Sequence, residues 1–582
     1  MSDALTPGSS DLPPTPRAPA SGWRRLVAWC LRLIMLAWLL GAGAVLVVRH
    51  VLMPAVGDFR DDIAAAVTAS LGVEVSIAAV EGRWAGWRPR LLIENLRIAD
   101  ADGRPALVLP KVDATLAWSS LLRLQPHFHR LDIAAAELDV RREADGTILV
   151  AGLVADTSGG EEGRGLEWLL AQRQIVVHDS RLRWTDKVRG APVLELDQLE
   201  FRLDQRASPA RFALQARPQQ ALASTLVVRG ELDRLELPGA AQAGELEARM
   251  YVELERADLG AWTAWIDYPL PLAGHGGVRA WFEASAGGAL DMTADVVLDG
   301  VVATLAPGLP ELAVSHLDGR LSLQRKLGLL RLSGQQLALR TVAGLAVAPT
   351  DFDVQLRKAP DGAQAGGSVT ASHLDLAALA GLVAYLPVDE GVRARLAGLA
   401  PHGRVDDLSL SWDGDSSAPQ AWRVRARFAE LGLLARDGLP GLGGVSGTID
   451  GDQRGGRYRI DARTAHLDLP DVFESGRLAF DRLRAEGSWL RRERGLEIAL
   501  DGAEFDNIDA AGTASGRYWP GREGAGEIDL QARLSRAEGT AVWRYLPRVV
   551  NRHTHDWVRT AIRAAVVPEA RLRLRGRLAG VT

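Results

Sequence analysis

The sequence predicts a mainly β protein, built as a long, curled antiparallel β-meander. We expect a half-pipe with an apolar groove, one N-terminal transmembrane helix and a few short helices. Three observations predict this fold. An apolar run, Leu26–Val48, stands near the N-terminus. Apolar and charged residues alternate strictly through much of the remaining chain, and Asp-Gly dipeptides recur between alternating runs.

Composition limits the class of protein. A chain of 582 residues is too long for one ordinary hydrophobic core, so we expect several domains or one repetitive architecture. The formal net charge of −5 gives no electrostatic footprint for nucleic acid. Cys30 is the single cysteine, so an intrachain disulfide bond is excluded.

The apolar run predicts a membrane anchor over 23–49, preceded by a disordered cytoplasmic tail over 1–22. Three arginines precede the run and three aspartates follow it: Arg17, Arg24, Arg25, Asp58, Asp61 and Asp62. The positive-inside rule then places the N-terminus in the cytoplasm and the bulk on the far side of the membrane. The alternative is a cleavable signal peptide, for which the small residues Ala42–Ala44 provide a cleavage site.

The alternating segments predict strands with one apolar face and one charged face. In "ELEARMYVELE" and "WRVRARF" the apolar residues share one parity and the charged residues the other. The apolar parity supplies the candidate groove-lining residues, which are Leu246, Met250, Val252, Trp422, Val424 and Phe428. Asp-Gly pairs in "ELDVRREADGTILV" and "HLDGRLSL" predict hairpin turns between neighbouring strands.

Short helices are expected to interrupt the strands. The spacing of Phe59, Ile63, Ala66, Val67 and Leu71 predicts one helix over Asp58–Gly72, and another is predicted from Gly165. Three further segments each read as a strand, a short helix and a Tyr-Pro or Tyr-Leu-Pro ending; they end at Pro269, Pro387 and Pro547. Repeated units favour a degenerate array whose members stack on their neighbours.

The apolar face of such a meander has to be covered. A second sheet would make a sandwich, whereas curling would make a half-pipe whose lining accepts something apolar. About thirty strands would extend on the order of 140 Å, which suits a bridge better than a pocket.

The N-terminal region resembles YhdP-type proteins of the AsmA-like superfamily. The features that carry this resemblance are the single anchor and following helix, then "WAGWRPRLLIENLRIAD", "SSLL" and "AELDVRREADG" within Val73–Leu153. "VWRYLP" at Val542–Pro547 and the following "THDWVRTAI" resemble the same family. We therefore expect an AsmA-like N-terminal region over 50–160 and a repetitive groove region over 161–582 that is incomplete at its C-terminus.

The resemblance implies a protein of a Gram-negative envelope, anchored in the inner membrane through Leu26–Val48, with its bulk in the periplasm. It implies a bridge-like function, moving or holding phospholipid between the inner and outer membranes with acyl chains in the groove, and it allows contact with other envelope proteins. The alternative is a structural or assembly factor for outer-membrane biogenesis with a closed apolar interior.

No motif in the sequence predicts catalysis, a cofactor or a metal site. "HTHD" at His553–Asp556 and "HFH" at His127–His129 are too isolated for zinc, and we expect both to form polar loops. "GRWAGWRPR" places Trp84 and Trp87 among arginines. These side chains either touch lipid headgroups or pack at a strand end near the anchor.

Overall fold

The fold is seen in a computed structural model. It describes residues 22–71, 74–99, 105–118, 120, 127–150, 153–154, 172–206, 209–232, 247–268, 270–285, 288–360, 363–388, 390–416, 418–436, 440–470, 472–493, 495–521, 526–548 and 550–577. The tail over 1–22, apart from Gly22, and the helix predicted from Gly165 lie outside the described residues.

Helices are few, as expected. The first helix, α1, is Gly22–Val47; it continues through a π-helical turn at Val48–Leu52, a helical turn at Met53–Ala55 and a 3-10 turn at Val56–Phe59. The others are α2 Arg60–Leu71, α3 Leu259–Trp262, α4 Leu376–Leu382, α5 Glu390–Leu399 and α6 Arg552–Ala561, with 3-10 turns at Val383–Tyr385 and Gly539–Tyr545.

All strands of the described residues join one curved sheet. They are β1 Val75–Ser76, β2 Ala79–Ala85, β3 Arg88–Ala99, β4 Pro105–Leu116, β5 Phe128–Ala134, β6 Glu137–Arg142, β7 Ile148–Val150, β8 Leu153–Val154, β9 Gln174–Asp186, β10 Leu194–Asp204, β11 Ala210–Pro218, β12 Thr225–Leu232, β13 Ala248–Asp258, β14 Leu272–Ser285, β15 Ala289–Ala303, β16 Leu312–Lys326, β17 Leu329–Thr341, β18 Ala346–Lys358, β19 Gln364–Asp375, β20 His402–Asp413, β21 Ala421–Leu433, β22 Gly441–Asp452, β23 Gly455–Asp468, β24 Arg477–Arg492, β25 Gly495–Asp506, β26 Ala510–Trp519, β27 Glu527–Glu538, β28 Val566–Val567 and β29 Ala570–Arg577.

The predicted meander is confirmed from β9 to β27, where every strand pairs antiparallel with its neighbours in sequence. The exception lies before it, because β5 and β6 both pair with β9 in parallel. That pairing joins residues distant in sequence and leaves no local pattern from which to predict it.

Asp-Gly pairs form turns at some sites only. Asp145-Gly146 lies in the turn between β6 and β7, and Asp413 is the last residue of β20, with Gly414 directly after it. The hairpin predicted at Asp318-Gly319 is wrong, since both residues lie inside β16. Gly319 has a φ of 135°, and a Cβ there would stand 2.7 Å from the Cα of Leu337, so its role is close approach between strands.

The three repeated strand–helix units are confirmed. The strands β13 and β19 run into α3 and α4, and β27 runs into the 3-10 turn Gly539–Tyr545. In the first two units an aspartate at the strand end caps the helix: Asp258 accepts a hydrogen bond from Ala261 N, and Asp375 from Ala378 N. Because alternate strands of a meander run in the same direction, all three units lie on one edge of the sheet, named here the helix-bearing edge.

The helix α2 packs on the sheet through part of the predicted face, since Ile63 and Val67 contact the buried cluster as expected. Ile63, Ala64 and Val67 contact the buried cluster, whereas Phe59 and Ala66 are exposed. Phe59 lies in the 3-10 turn before α2, and this turn shifts the helical phase from that of an unbroken helix.

A line of β-bulges runs along the sheet beside the helix-bearing edge. The register of strand pairing shifts next to non-glycine residues whose φ lies near +50°. These residues are Asp179, Gln198, Arg256, Gln336, Asp407, Glu430 and Thr464. Because a bulge bends its strand and increases local twist, the bulge line accounts for much of the sheet's curvature.

Candidate functional site: an apolar face along the sheet

The register of the strands aligns their apolar residues into rows that cross the whole sheet. One row, named here the central row, starts at Gly82 in β2 and ends at Gly576 in β29. Its members are Gly82, Leu91, Ala114, Leu131, Ile175, Leu203, Phe212, Gly230, Met250, Phe282, Met292, Leu323, Leu332, Val354, Val369, Leu410, Val424, Gly451, Gly456, Trp489, Ile498, Tyr518, Ile528 and Gly576.

No member of the central row carries a charge, although aspartate, glutamate and arginine are abundant in the same strands. Paired residues of neighbouring strands point to the same side of a sheet, so the row forms one continuous apolar track. At ~4.8 Å between strands, the track extends about 110 Å along the curved sheet.

The track has a closed part and an open part. Up to β10 it is packed inside a core that includes Met53 and Val56 from the end of the anchor, and the exposed fractions of Ile175 and Leu203 are 4% and 1%. From β12 onward most members are half-buried, and Met250 and Leu332 are 39% and 41% exposed. The apolar face is therefore accessible over most of its length.

The structure places most of the predicted groove residues on this face. Met250 and Val424 belong to the central row, and Val252 lies two residues further along β13 on the same side. Trp422 pairs with Trp412 at the end of β20, and Phe428 pairs with Val405. Leu246 lies outside the described residues.

Glycines opposite aromatic residues are a feature of the face that alternation alone does not reveal. In five register pairs a Cβ on the glycine would overlap the ring on the next strand. The pairs are Gly230 with Phe212, Gly334 with Phe352, Gly367 with Trp412, Gly456 with Trp489, and Gly487 with Tyr458. The rings lie flat across the glycines, so they do not project from the apolar face.

The opposite face is charged and neutralised by ion pairs between strands. Arg279 Nε lies 2.8 Å from Glu253 Oε1, and Arg573 pairs with Asp529 at 3.2 Å. A hydrogen bond from the Tyr251 hydroxyl, together with Arg279, lowers the pKa of Glu253. These pairs are mostly solvent-exposed, so they contribute little to stability, and their main effect is that this face remains hydrated.

The clefts that the structure forms lie on this charged face, which sequence reasoning missed. One of about 1240 Å³ crosses β23–β29 and is lined by residues such as Arg459, Asp461, Arg484 and Glu486. Another of about 560 Å³ includes Arg249, Tyr251 and Trp281. Both signs of charge line each cleft, so neither presents the single-sign field that would select an anion or a cation.

The histidine motifs lie in ordered elements. His553–Asp556 lies in the first turns of α6, so the polar loop predicted there is wrong; Asn551 caps this helix by accepting from His553 N. His555 is buried, with Nε2 3.3 Å from the carbonyl oxygen of Pro547. Phe128 and His129 lie in β5, so the polar loop predicted for His127–His129 is also wrong. Burial is the main cause that lowers the pKa of His129. Among the described residues, no group of three or more potential ligands could hold a metal ion.

The anchor is the one helical segment of the described chain that is long and apolar enough to cross a membrane. The segment runs over Leu26–Ala69, and the side chains of its apolar window are not buried by the rest of the protein. Cys30 is exposed within it.

Comparison with known proteins identifies the family. No curated protein and no solved structure matches the chain. The family model described as YhdP protein matches residues 21–581, nearly the whole chain, which confirms the resemblance noted in Val73–Leu153. The chain therefore belongs to the YhdP family of AsmA-like envelope proteins.

Proposed function

We propose that this protein holds or moves phospholipid between the inner and outer membranes, with acyl chains lying on the apolar face of the sheet. Leu26–Val48 would anchor it in the inner membrane, with the N-terminus in the cytoplasm and the sheet in the periplasm. The proposal involves no catalysis, cofactor or metal ion.

The observation that carries this proposal is the length of the accessible central row. An apolar face of this size on a soluble sheet normally marks a binding surface, because leaving it in water costs free energy. Acyl chains are apolar along their whole length and match a track that offers no charged residue. Lipid headgroups would remain in water along the open side.

The experiment is mass spectrometry of lipids that co-purify with the full chain in a detergent that preserves its fold. We expect phospholipid in excess of one molecule per chain. Leu410→Asp should lower this ratio, because it puts a charge in the central row. The matched control is Ser411→Asp, which adds the same charge to the next residue on the opposite face and should leave the ratio unchanged.

A second candidate function, a scaffold for outer-membrane assembly, is favoured by the packed core of β1–β10, where the interior is closed. If such a core extended through the whole sheet in solution, a well-folded protein would carry no lipid. Lipid-free protein with an intact β-sheet circular dichroism spectrum would thus contradict the conduit and favour the scaffold.

A further inference from the structure

The hairpin formed by β2 and β3 runs alongside the end of the membrane anchor. Three neighbouring pairs define the alignment. A Cβ on Gly57 would lie 3.3 Å from Val80 O, and a Cβ on Gly82 would overlap the carbonyl oxygen of Met53. The guanidinium carbon of Arg49 stands 5.8 Å from the ring centroid of Trp84.

These pairs show that β2 runs antiparallel to the helical segment. Each step of two residues in β2 accompanies a step of four residues in the helix. Both steps cover about 6 Å, so the alignment holds from one pair to the next. Continued for one more step, it places the hairpin turn Gly86-Trp87 at the level of Val45–Val47, the last turn of α1.

The side chain at that turn has no packing role in the described structure. Trp87 is 82% exposed, whereas Trp84, three residues earlier, is half-buried and contacts Trp118 edge-on with ring centroids 6.1 Å apart. Exposure of a tryptophan in water is unfavourable. The turn is a short one between two long paired strands, so Trp87 projects from a rigid support.

We propose that Trp87 inserts into the headgroup region of the bilayer, on the side of the membrane that carries the sheet. Tryptophan is enriched at membrane interfaces because its ring is apolar and its indole N–H remains hydrogen-bonded. Arg83, which pairs with Glu81 at 3.0 Å, and Arg49 lie at the same level, where arginine side chains reach phosphate groups. The proposal rests on Leu26–Val48 spanning the membrane and is independent of what the apolar face binds.

This contact gives the sheet a second point of attachment. A single helix leaves a soluble domain free to tilt on the membrane, whereas a helix and a hairpin tip in the same interface define an orientation. The central row begins at Gly82, beside the helix and five residues before Trp87, so the interface contact sets the angle at which the apolar face leaves the membrane.

The test uses the full chain in phospholipid nanodiscs, with Cys30→Ala to remove the native thiol. A bimane label is attached to a new cysteine from Trp87→Cys and, as the control, from Leu327→Cys. Leu327 is 94% exposed in the turn between β16 and β17, remote from the anchor in the strand order. Nitroxides on lipid headgroups should quench the label at position 87 and leave the label at position 327 bright.

Two results would overturn the proposal. Equal quenching at both positions would mean that the hairpin tip lies no closer to the lipid headgroups than a turn remote from the anchor. No quenching at position 87, with full access of iodide from water, would place the tip in solution. Neither result bears on lipid bound to the sheet, so the two proposals fail separately.

Discussion

At the level of single residues, glycines allow aromatic rings of neighbouring strands to lie flat on the apolar face. Trp489 lies over Gly456 while its indole N–H donates to the carbonyl oxygen of Asp452 at 3.1 Å. The ring thus lies along the sheet and covers its neighbour instead of standing upright. A larger residue in place of the glycine would raise the ring above the face.

We predict that Gly456→Ala lowers stability by about 1–3 kcal/mol, because the new Cβ overlaps the Trp489 ring and approaches Asp450 O. The matched control is Gly277→Ala in β14, where a Cβ meets nothing within 4 Å. This control should be neutral or stabilising by ~0.5–1 kcal/mol. Thermal unfolding monitored by circular dichroism compares the two variants, and equal effects would contradict the ring position.

Two histidines are expected to respond to acid in opposite directions. Burial, with Arg88, Arg173 and Arg206, lowers the pKa of His129, so its contribution to stability is present above pH ~6.5 and is lost below it. Hydrogen bonding to Asp179 is the largest cause that raises the pKa of His178, whose Nε2 also lies 3.0 Å from Asp132. Its contribution is complete below pH ~6.5 and is lost as pH rises through its folded pKa.

The variants His129→Gln and His178→Gln test these signs. The first should reduce the fall in unfolding temperature between pH ~7.5 and pH ~5.5, because the half-buried imidazole with the lowered pKa is no longer present. The second should increase that fall. Identical pH dependence in both variants and in the unmodified chain would show that neither site is linked to folding.

The bulge line is the feature of the strands that most affects the shape of the sheet. At its sites an extra residue adopts a φ that L-amino acids disfavour by roughly 1–2 kcal/mol. The strain is repeated on strands from β9 to β23, always on the side of the central row that faces the helix-bearing edge. Such repetition indicates that the curvature is built into the strands.

Arg256 is the site at which this idea is tested. The residue has a φ of 49° and an exposed side chain, so Arg256→Gly should be neutral or stabilising and Arg256→Val destabilising by about 1–2 kcal/mol. Arg229→Val, in the regular part of β12, is the control and should cost nothing, because valine favours strands. A destabilised glycine variant would mean that the arginine side chain holds the bulge.

The sequence predicts the strands far better than their irregularities. Alternation assigned Met250 and Val424 to one side because the period of a strand is two and the strands pair in register. It gave no sign of the bulges at Arg256 or Asp407, since arginine is not typical of left-handed positions and aspartate occurs at many other positions in these strands. The hairpin predicted at Asp318-Gly319 is wrong for a related reason, because glycine occurs where two strands approach closely as well as in turns. The parallel pairing of β5 and β6 with β9 depends on distant contacts that no local pattern encodes.

The whole sheet acts as one surface if the open part of the track is continuous. A photo-crosslinking residue placed at Met250, Leu332 or Val424 should capture lipid at each site, because all three belong to the central row. The same residue at Arg249, Ser333 or Arg423 points to the charged face and should capture little. Capture at one end of the row only would show that lipid binds a local site instead of a track.

The strands follow one another along the sheet, and this arrangement determines how the sheet resists tension. Each strand is held by its two neighbours, so a pull along the sheet from the anchor is transmitted equally through every ladder of hydrogen bonds. Strength under tension is then set by the weakest ladder instead of by the total number of bonds. From β11 to β27 three ladders have the lowest number of paired residues, seven each: β11–β12, β18–β19 and β25–β26, against thirteen between β14 and β15. A sheet under tension would yield first at one of these three ladders, which lie at the beginning, in the middle and near the far end of the accessible track.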